Sequence, residues 1–309
     1  MENENQEAKK EIPDVKEKKK FSFNYDKYYK LLLLIPIFLL LLSLTYIGIF
    51  YSKNGDFINK DVSLSGGTSI TINGEINQEQ LEVALKPKFP DVSFTKLTDI
   101  VSKKELALIV ESSASVEELQ PEIESILGYK LNEKNSSIEF TGASLSKDFY
   151  RQLIMALFIS FILMSIVIFI LFRTFIPSIA VIFAVFADIV FPLAVIDYFG
   201  IKVSAAGIAA FLMLIGYSVD TDILLTSRVL KTREGSVNNR IFRAFKTGIL
   251  MNLTALAAIL PAFFIVTGLP DSFRQIFLIL ALGLFADILN TWLTNASIIK
   301  WYCVKKGIQ

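Results

Sequence analysis

Between Leu212 and Leu225 the chain reads LMLIGYSVDTDILL, an apolar run with two carboxyl groups, Asp220 and Asp222, set inside it. Asp188 and Asp287 stand in similar apolar surroundings, each within the tetrapeptide FADI, and Asn252 lies near the start of another apolar stretch. An ionised carboxylate at the centre of a membrane helix costs on the order of 2.5–3.5 kcal/mol on insertion scales. Low dielectric penalises the charged form of a carboxyl group. A group held in that balance can take a proton from one side and release it to the other when its surroundings change. The chemistry suggested is ion or proton handling, not covalent catalysis. With no histidine in the chain, Ser–His and Cys–His nucleophiles, histidine metal ligation and histidine pH sensing are excluded. A single cysteine, Cys303, leaves no internal disulfide and no cysteine metal site. No G-x-x-x-x-G-K-[ST] motif occurs, so no ATP chemistry through a P-loop is expected, and no cofactor or metal is expected.

The elements that must carry these groups follow from composition. The 309 residues are 53% hydrophobic, with a mean hydropathy of +0.51 and a formal net charge of +1. That balance predicts a polytopic α-helical membrane protein and argues against a nucleic-acid partner. Residues 1–29 read as a charged cytoplasmic tail, its first twenty residues too poor in apolar groups to fold. KLLLLIPIFLLLLSLTYIGIFY (30–51) has full spanning length and reads as a retained signal-anchor helix. Residues 52–149 have soluble composition. Strand patterns at 66–72, 92–99, 105–112 and 136–142 interleave with helical patterns at 77–86 and 115–128, the latter opening on a Ser115–Glu118 capping box. The order β-α-β-β-α-β predicts a ferredoxin-like α+β domain between the first and second spans. Further spans are expected near 150–172, 177–199, 203–227, 247–267 and 275–299, six in all, with 300–309 as a C-terminal tail.

Basic residues set the orientation. Arg228, Lys231, Arg233, Arg240, Arg243 and Lys246 lie between spans four and five, Arg173 between two and three, and Lys300, Lys305 and Lys306 near the end. The short loops of the opposite side carry only Lys202 and Arg274. Both termini are thus expected in the cytoplasm, with residues 52–149 outside the cytoplasmic membrane. Asn135-Ser136-Ser137 is a glycosylation sequon on that outer face.

Helical spacing shows which polar groups share a face. Gly283, Asp287, Asn290, Thr291, Thr294 and Asn295 fall at i, i+4, i+7, i+8, i+11 and i+12 along span six. Gly216 and Asp220 are i and i+4 in span four, and Gly248 and Asn252 repeat that spacing in span five. A polar seam is expected where spans three to six meet. Asp220 and Asp222 sit about 200° apart around their helix and cannot share one partner. The plainer readings are packing glue for an isolated Asn or Thr, snorkelling of Asp222 or its pairing with Arg228, and ordinary anchoring for Arg243 and Lys246. No arginine is expected deep in the bundle to neutralise Asp188, Asp220 or Asp287.

GYSVDTDILLTSRVLK (216–231) resembles the fourth-span signature of the SecF family of protein-export membrane proteins in its archaeal form. DVSLSGGTSITI, with Gly66, Gly67 and Thr68, resembles the G-G-T motif at the start of that family's exported domain. GASLSKDFYRQ resembles the segment leading into its second span, and LFADILNTWLTNASIIKWY its sixth. The resemblance covers about residues 30–304. It implies half of an RND-type bundle and a SecDF complex in which SecD supplies a pseudo-equivalent six spans. It also implies association with the Sec translocon channel, a translocating polypeptide as substrate, membrane lipid around the bundle, and coupling to the proton-motive force. The fourth-span motif Gly216, Tyr217 and Ser218 matches the bacterial G-Y-S-x-N-D, but Asp220 takes the Asn position, Thr221 the Asp position, and Asp222 follows. The relay role is open between Asp220 and Asp222, with depth and the glycine-backed face favouring Asp220. Lys246 stands where bacterial members carry a relay-linked arginine. Two competing functions are a homodimeric RND-type exporter of lipid or small molecules and an intramembrane aspartyl protease. The latter lacks its G-x-G-D signature here, since Ser218 and Val219 precede Asp220.

Overall fold

The computed structural model describes residues 25–99, 102, 104–232, 234–265 and 271–308. The expected tail over residues 1–24, and residues 266–270 between the last two spans, lie outside them. Among the described residues, six helices are long and apolar enough to cross a membrane: Lys27–Asn54, Ala143–Phe172, Phe175–Tyr198, Ala205–Lys231, Val237–Phe264 and Phe273–Lys306, here spans one to six. Helix is what apolar surroundings demand, because it satisfies every backbone polar group within the segment. Span five starts about ten residues before the expected position, at Val237, and takes in Asn238, Arg240, Arg243 and Lys246 as its opening turns. Span six continues to Lys306 and is broken by a π-helical stretch, Asn290–Asn295.

The spans do not contribute equally. About half of each of spans three, four and six is buried, against 17%, 6% and 11% for spans one, two and five. The core of the bundle is therefore made by three helices. One apolar layer, with Ile196, Ile208, Phe211, Leu214 and Ile279, fills it near the sheet domain, and a second, with Leu225, Val229, Trp292 and Ile299, fills the opposite, basic end. Gly283 on span six makes close approach possible: a Cβ there would overlap the Leu214 side chain.

Four antiparallel strands, β1 (Gly67–Asn73), β2 (Ser93–Thr98), β3 (Glu105–Ser112) and β4 (Ser136–Thr141), form a sheet of order β2-β3-β1-β4. Ile70 lies opposite Val110 on one side and Ile138 on the other, so one face of the sheet is apolar. The helices Gln78–Leu85 and Val116–Leu127 cover that face through Leu81, Leu85, Leu119 and Ile123. The second helix begins with the Ser115–Glu118 capping box and ends on Gly128 in the left-handed conformation. Gly66 and Gly67 have positive φ, and a side chain on either would strike the backbone of Ala143 or Ser112. Thr68 hydroxyl donates to Ala114 O at 2.6 Å. The G-G-T motif is thus the point where the domain closes onto the first turn of span two.

Candidate functional site

Three aspartates from three spans meet in the middle of the bundle. Asp188 of span three, Asp222 of span four and Asp287 of span six are fully buried, and each offers a carboxylate oxygen within 4.8 Å of the others. Their partners are hydroxyls and amides. Asn290 Nδ2 donates to Asp188 Oδ1 at 2.6 Å, and Ser218 Oγ donates to Asp188 Oδ2. Asn252 Nδ2 donates to Asp287 Oδ2 at 2.6 Å, and Thr221 and Thr291 hydroxyls reach Asp287 Oδ1, each at 2.8 Å. Asn295 Nδ2 donates to Asp222 Oδ1 at 2.6 Å, and Thr291 Oγ1 lies 3.0 Å from the same oxygen. No lysine or arginine pairs with any of the three among the described residues.

Hydrogen counting shows what this arrangement can do. Each hydroxyl has one proton to donate. The Thr291 hydroxyl nonetheless stands within reach of two carboxylates, as does that of Ser218, which lies 3.4 Å from Asp287 Oδ1 besides its contact with Asp188. Asp222 Oδ2 has no partner among the described residues although it is buried. Three ionised carboxylates at this separation would carry three negative charges with nothing basic beside them. Such an arrangement can share a proton or hold a small cation among oxygen ligands, and the Thr291 and Ser218 hydroxyls each stand within reach of two carboxylates.

Why these residues converge is local. On span four the buried positions run Phe211, Leu214, Ile215, Ser218, Thr221, Asp222, Leu225 and Thr226, one helical face. On span six the π-helical turn places Asn290, Thr291, Thr294 and Asn295 all inside. Such a widened turn is a frequent mark of a functional segment. Span five is mostly exposed, yet Asn252 is buried against Asp287, and Gly248 one turn earlier lets Trp292 pack on the helix.

The structure corrects several expectations. Asp220 and Gly216 lie on the outward face of span four, with Tyr217 and Met213, and Asp220 has no hydrogen-bond partner among the described residues. Of two carboxylates about 200° apart, only one can face a core, and it is Asp222. Arg228 does not pair with Asp222; its guanidinium donates to Arg243 O and Thr247 Oγ1, both at 3.0 Å. Lys246 is exposed, its ammonium 5.0 Å from the Phe242 ring, and takes no part in the cluster. Arg240 is buried, as is Lys300, whose Nζ donates to Asn238 Oδ1 at 2.6 Å, but neither lies beside the three acids. Both sit at the basic end, Arg240 twelve residues before Asn252 on span five, or about 18 Å at the helical rise. Thr221 was visible in sequence only as a motif position; its hydroxyl spacing from Ser218 and Asp222 was the signal that it shared their face.

The chain matches the family model described as Protein export membrane protein SecD/SecF, C-terminal, over residues 123–305. It is 35% identical over 290 residues to a protein-export membrane protein SecF of Methanolacinia petrolearia, covering 93% of this chain and 99% of the relative. The SecF of Methanocaldococcus jannaschii is 36% identical over 89% of this chain and 96% of its own length. Among solved structures, SecDF from Thermus thermophilus, described as a translocon-associated membrane protein, superposes with a TM-score of 0.73 at 20% identity. That likeness covers 91% of this chain and only 38% of the SecDF chain. A SecDF structure in a super-membrane-facing form gives a TM-score of 0.57 at 22% identity, covering 92% and 39% of the two chains. With six apolar helices and relatives matched almost end to end, the chain is a multi-pass membrane protein that belongs to the SecF family of protein-export membrane proteins, in its archaeal form.

Proposed function

We propose that this chain acts as the SecF-type subunit of a protein-export accessory complex. Together with a SecD-type partner it promotes movement of polypeptide through the Sec translocon and across the cytoplasmic membrane. Movement is driven by protons passing through Asp188, Asp222 and Asp287. The ferredoxin-like domain over residues 52–149 is exported and both termini are cytoplasmic, as the basic residues at the far end of the bundle support.

The observation that carries the coupling reading is the close approach of three buried carboxylates, one from each of the three core spans, without a basic partner among the described residues. Changing the proton occupancy of such a cluster changes the charge between three helices at once, and so their preferred packing. Asn252, Ser218, Thr221 and Thr291 hold the acids in register; Lys246 has no part in the relay.

Asp220 is given a different role. An outward carboxylate in mid-span is costly against acyl chains, and beside it Gly216 leaves the helix backbone bare. The stripe Met213, Gly216, Tyr217 and Asp220 is the face that docks the SecD-type subunit, while spans one, two and five present most of the lipid-facing surface. Copurification with a SecD-type protein, and not with a second copy of itself, separates this reading from a homodimeric exporter of small molecules or lipid.

The test is preprotein export into membrane vesicles with and without an imposed proton gradient. Asp222→Asn keeps the size and amide-compatible hydrogen bonds of the site but cannot exchange a proton. It is expected to abolish the gradient-stimulated part of export while leaving assembly with the partner intact. Gradient-stimulated export at the wild-type rate in Asp222→Asn and in Asp188→Asn would remove the cluster from the relay.

A further inference from the structure

The sheet domain is joined covalently to spans one and two, which contribute little to the core. Besides Gly66 against Ala143 and Asp56 with Tyr150 on span two, its non-covalent contacts reach the core spans. The connection between spans three and four, residues 199–204, is held on three sides. The strand-like segment after span one pairs with it, Val203 N donating to Asn59 O at 2.6 Å and Asp61 N to Val203 O at 3.1 Å. Gln275, in the first turn of span six, accepts from Ser204 N at 2.8 Å and from Ser204 Oγ at 2.6 Å, and its Nε2 donates to Lys202 O. Lys202 then reaches across to the sheet, where its ammonium donates to Glu111 Oε2 at 2.6 Å and also to Ser93 Oγ.

We infer that this connection is a clamp, with Lys202, Glu111 and Gln275 as positioning residues that make the sheet domain follow spans three, four and six as well as the two helices it grows from. The physical reason is the choice of partners. Glu111 projects from β3, in the centre of the sheet, so a force on it turns the domain as a body. Ser204 caps span four through Gly207 N at 3.1 Å, and Gln275 belongs to span six. The clamp therefore touches the outer ends of all three helices that carry the buried acids. A Cβ on Gly207 would overlap Gln275 Oε1, so the glycine allows span six to come this close. A tilt of these helices is passed to β3 through one connection of six residues and one ion pair. Lys202 and Glu111 are 31% and 13% exposed, so the pair is shielded from most solvent without being sealed from it. That suits a contact that must hold direction and still release.

The experiment uses the full-length chain, copurified with its partner and placed in lipid nanodiscs, with Cys303→Ala removing the native thiol. Spin labels go on Val83 in the sheet domain and Phe175 in span three, both strongly exposed. Lys202→Glu is expected to raise the population of displaced domain orientations about fivefold, the scale of a partly exposed ion pair, and Gln275→Ala to act in the same direction. Lys202→Arg, and the swapped pair Lys202→Glu with Glu111→Lys, are expected to restore the narrow distribution. Asp222→Asn is expected to shift the distance in the clamped protein and to leave it unmoved in Lys202→Glu. An unchanged distribution in both Lys202→Glu and Gln275→Ala would overturn the clamp, as would a shift from Asp222→Asn that persists without it. These distances are read without export. The clamp can therefore fail while the export role proposed above stands, and the reverse.

Discussion

Two groups of acids in this molecule are handled in opposite ways. At the junction with the sheet domain, Asp56 and Glu111 are paired with cations. Asp56 lies 2.9 Å from Lys60 and accepts from Tyr150 OH at 2.8 Å, and Glu111 holds Lys202. Burial pushes the Asp56 carboxyl up, but the hydrogen bonds from Lys60 and Tyr150 and the Lys60 charge outweigh it and hold the group below its usual range. In the bundle core, Asp188, Asp222 and Asp287 receive only hydroxyl and amide hydrogens. A fixed cation locks a carboxylate in its charged form, and so locks a structure. Neutral donors hold the carboxyl in place while leaving it free to gain or lose a proton. On the function proposed above, position is the task of the junction and exchange the task of the core.

The strongest way to break that contrast is to remove one core acid together with its hydrogen-bonding capacity. Asp287 accepts from Asn252, Thr221 and Thr291, so Asp287→Leu strands several buried donors at once. Each stranded group costs about 1–3 kcal/mol, and the sum is expected to reach about 3–5 kcal/mol, read as a lower melting temperature of the detergent-purified protein. Asp287→Asn, which keeps an acceptor oxygen, is expected to lose less than half as much. Equal losses in the two variants would mean that the acid is held by packing and not by its donors.

A smaller effect sharpens the junction side. Asp61 caps the short helix Val62–Ser65, accepting from Ser63 N at 2.9 Å, and burial, with the nearby Glu111 charge, pushes its carboxyl up to about 6 from 3.8. A folded-state value above the unfolded one means the native protein binds this proton more tightly. Its contribution is complete below about pH 4 and is lost as pH rises through 6. The span is worth on the order of 2 kcal/mol, and the acid is thus an exception among its lysine-paired neighbours. Protease protection of the segment after span one is expected to weaken from pH 4 to pH 7 in the native protein. Asp61→Asn, which retains the cap, is expected to flatten that slope. A wild-type slope in the variant would assign the titration to another group.

Much of this organisation was legible in the sequence, for reasons that also explain what was not. Spans could be found because lipid demands long apolar helices, and the inward face of span six could be found because Asp287, Asn290, Thr291 and Asn295 are polar where the rest is not. The strands lay within a residue or two of their expected places, since Ile70 and Ile72 alternate with polar neighbours and residues 106–110 form a short apolar run bounded by Glu105 and Glu111. Span four was harder. In water, an apolar stripe marks the inside of a helix; in a membrane both faces are apolar and the stripe carries no sign. Depth and a glycine one turn away then favoured Asp220, whereas the deciding signal was the spacing of Ser218, Thr221, Asp222 and Thr226 on one face. Lys202 was read only as a charge in a short loop. Its reach to Glu111, ninety-one residues earlier, is a product of tertiary structure that no local pattern encodes.

The mildest substitution bears on the same comparison from a third side. Asp220 belongs to neither group: it is exposed on the isolated chain, without a cation and without donors among the described residues. Nothing inside the chain depends on its charge, so Asp220→Asn is expected to change the melting temperature of the isolated chain by an amount equivalent to less than about 0.5 kcal/mol, as for surface changes generally. In the complex the expectation differs. A carboxylate meeting a partner helix exchanges acyl chains for protein and must find a donor there, so the variant is expected to alter affinity for the SecD-type subunit, read by titrating one labelled subunit against the other. Stability lost in the isolated chain would show that Asp220 has an internal partner and belongs with the core acids. Unchanged stability with changed affinity would set a third class of acid beside the two: one whose environment is supplied by another protein.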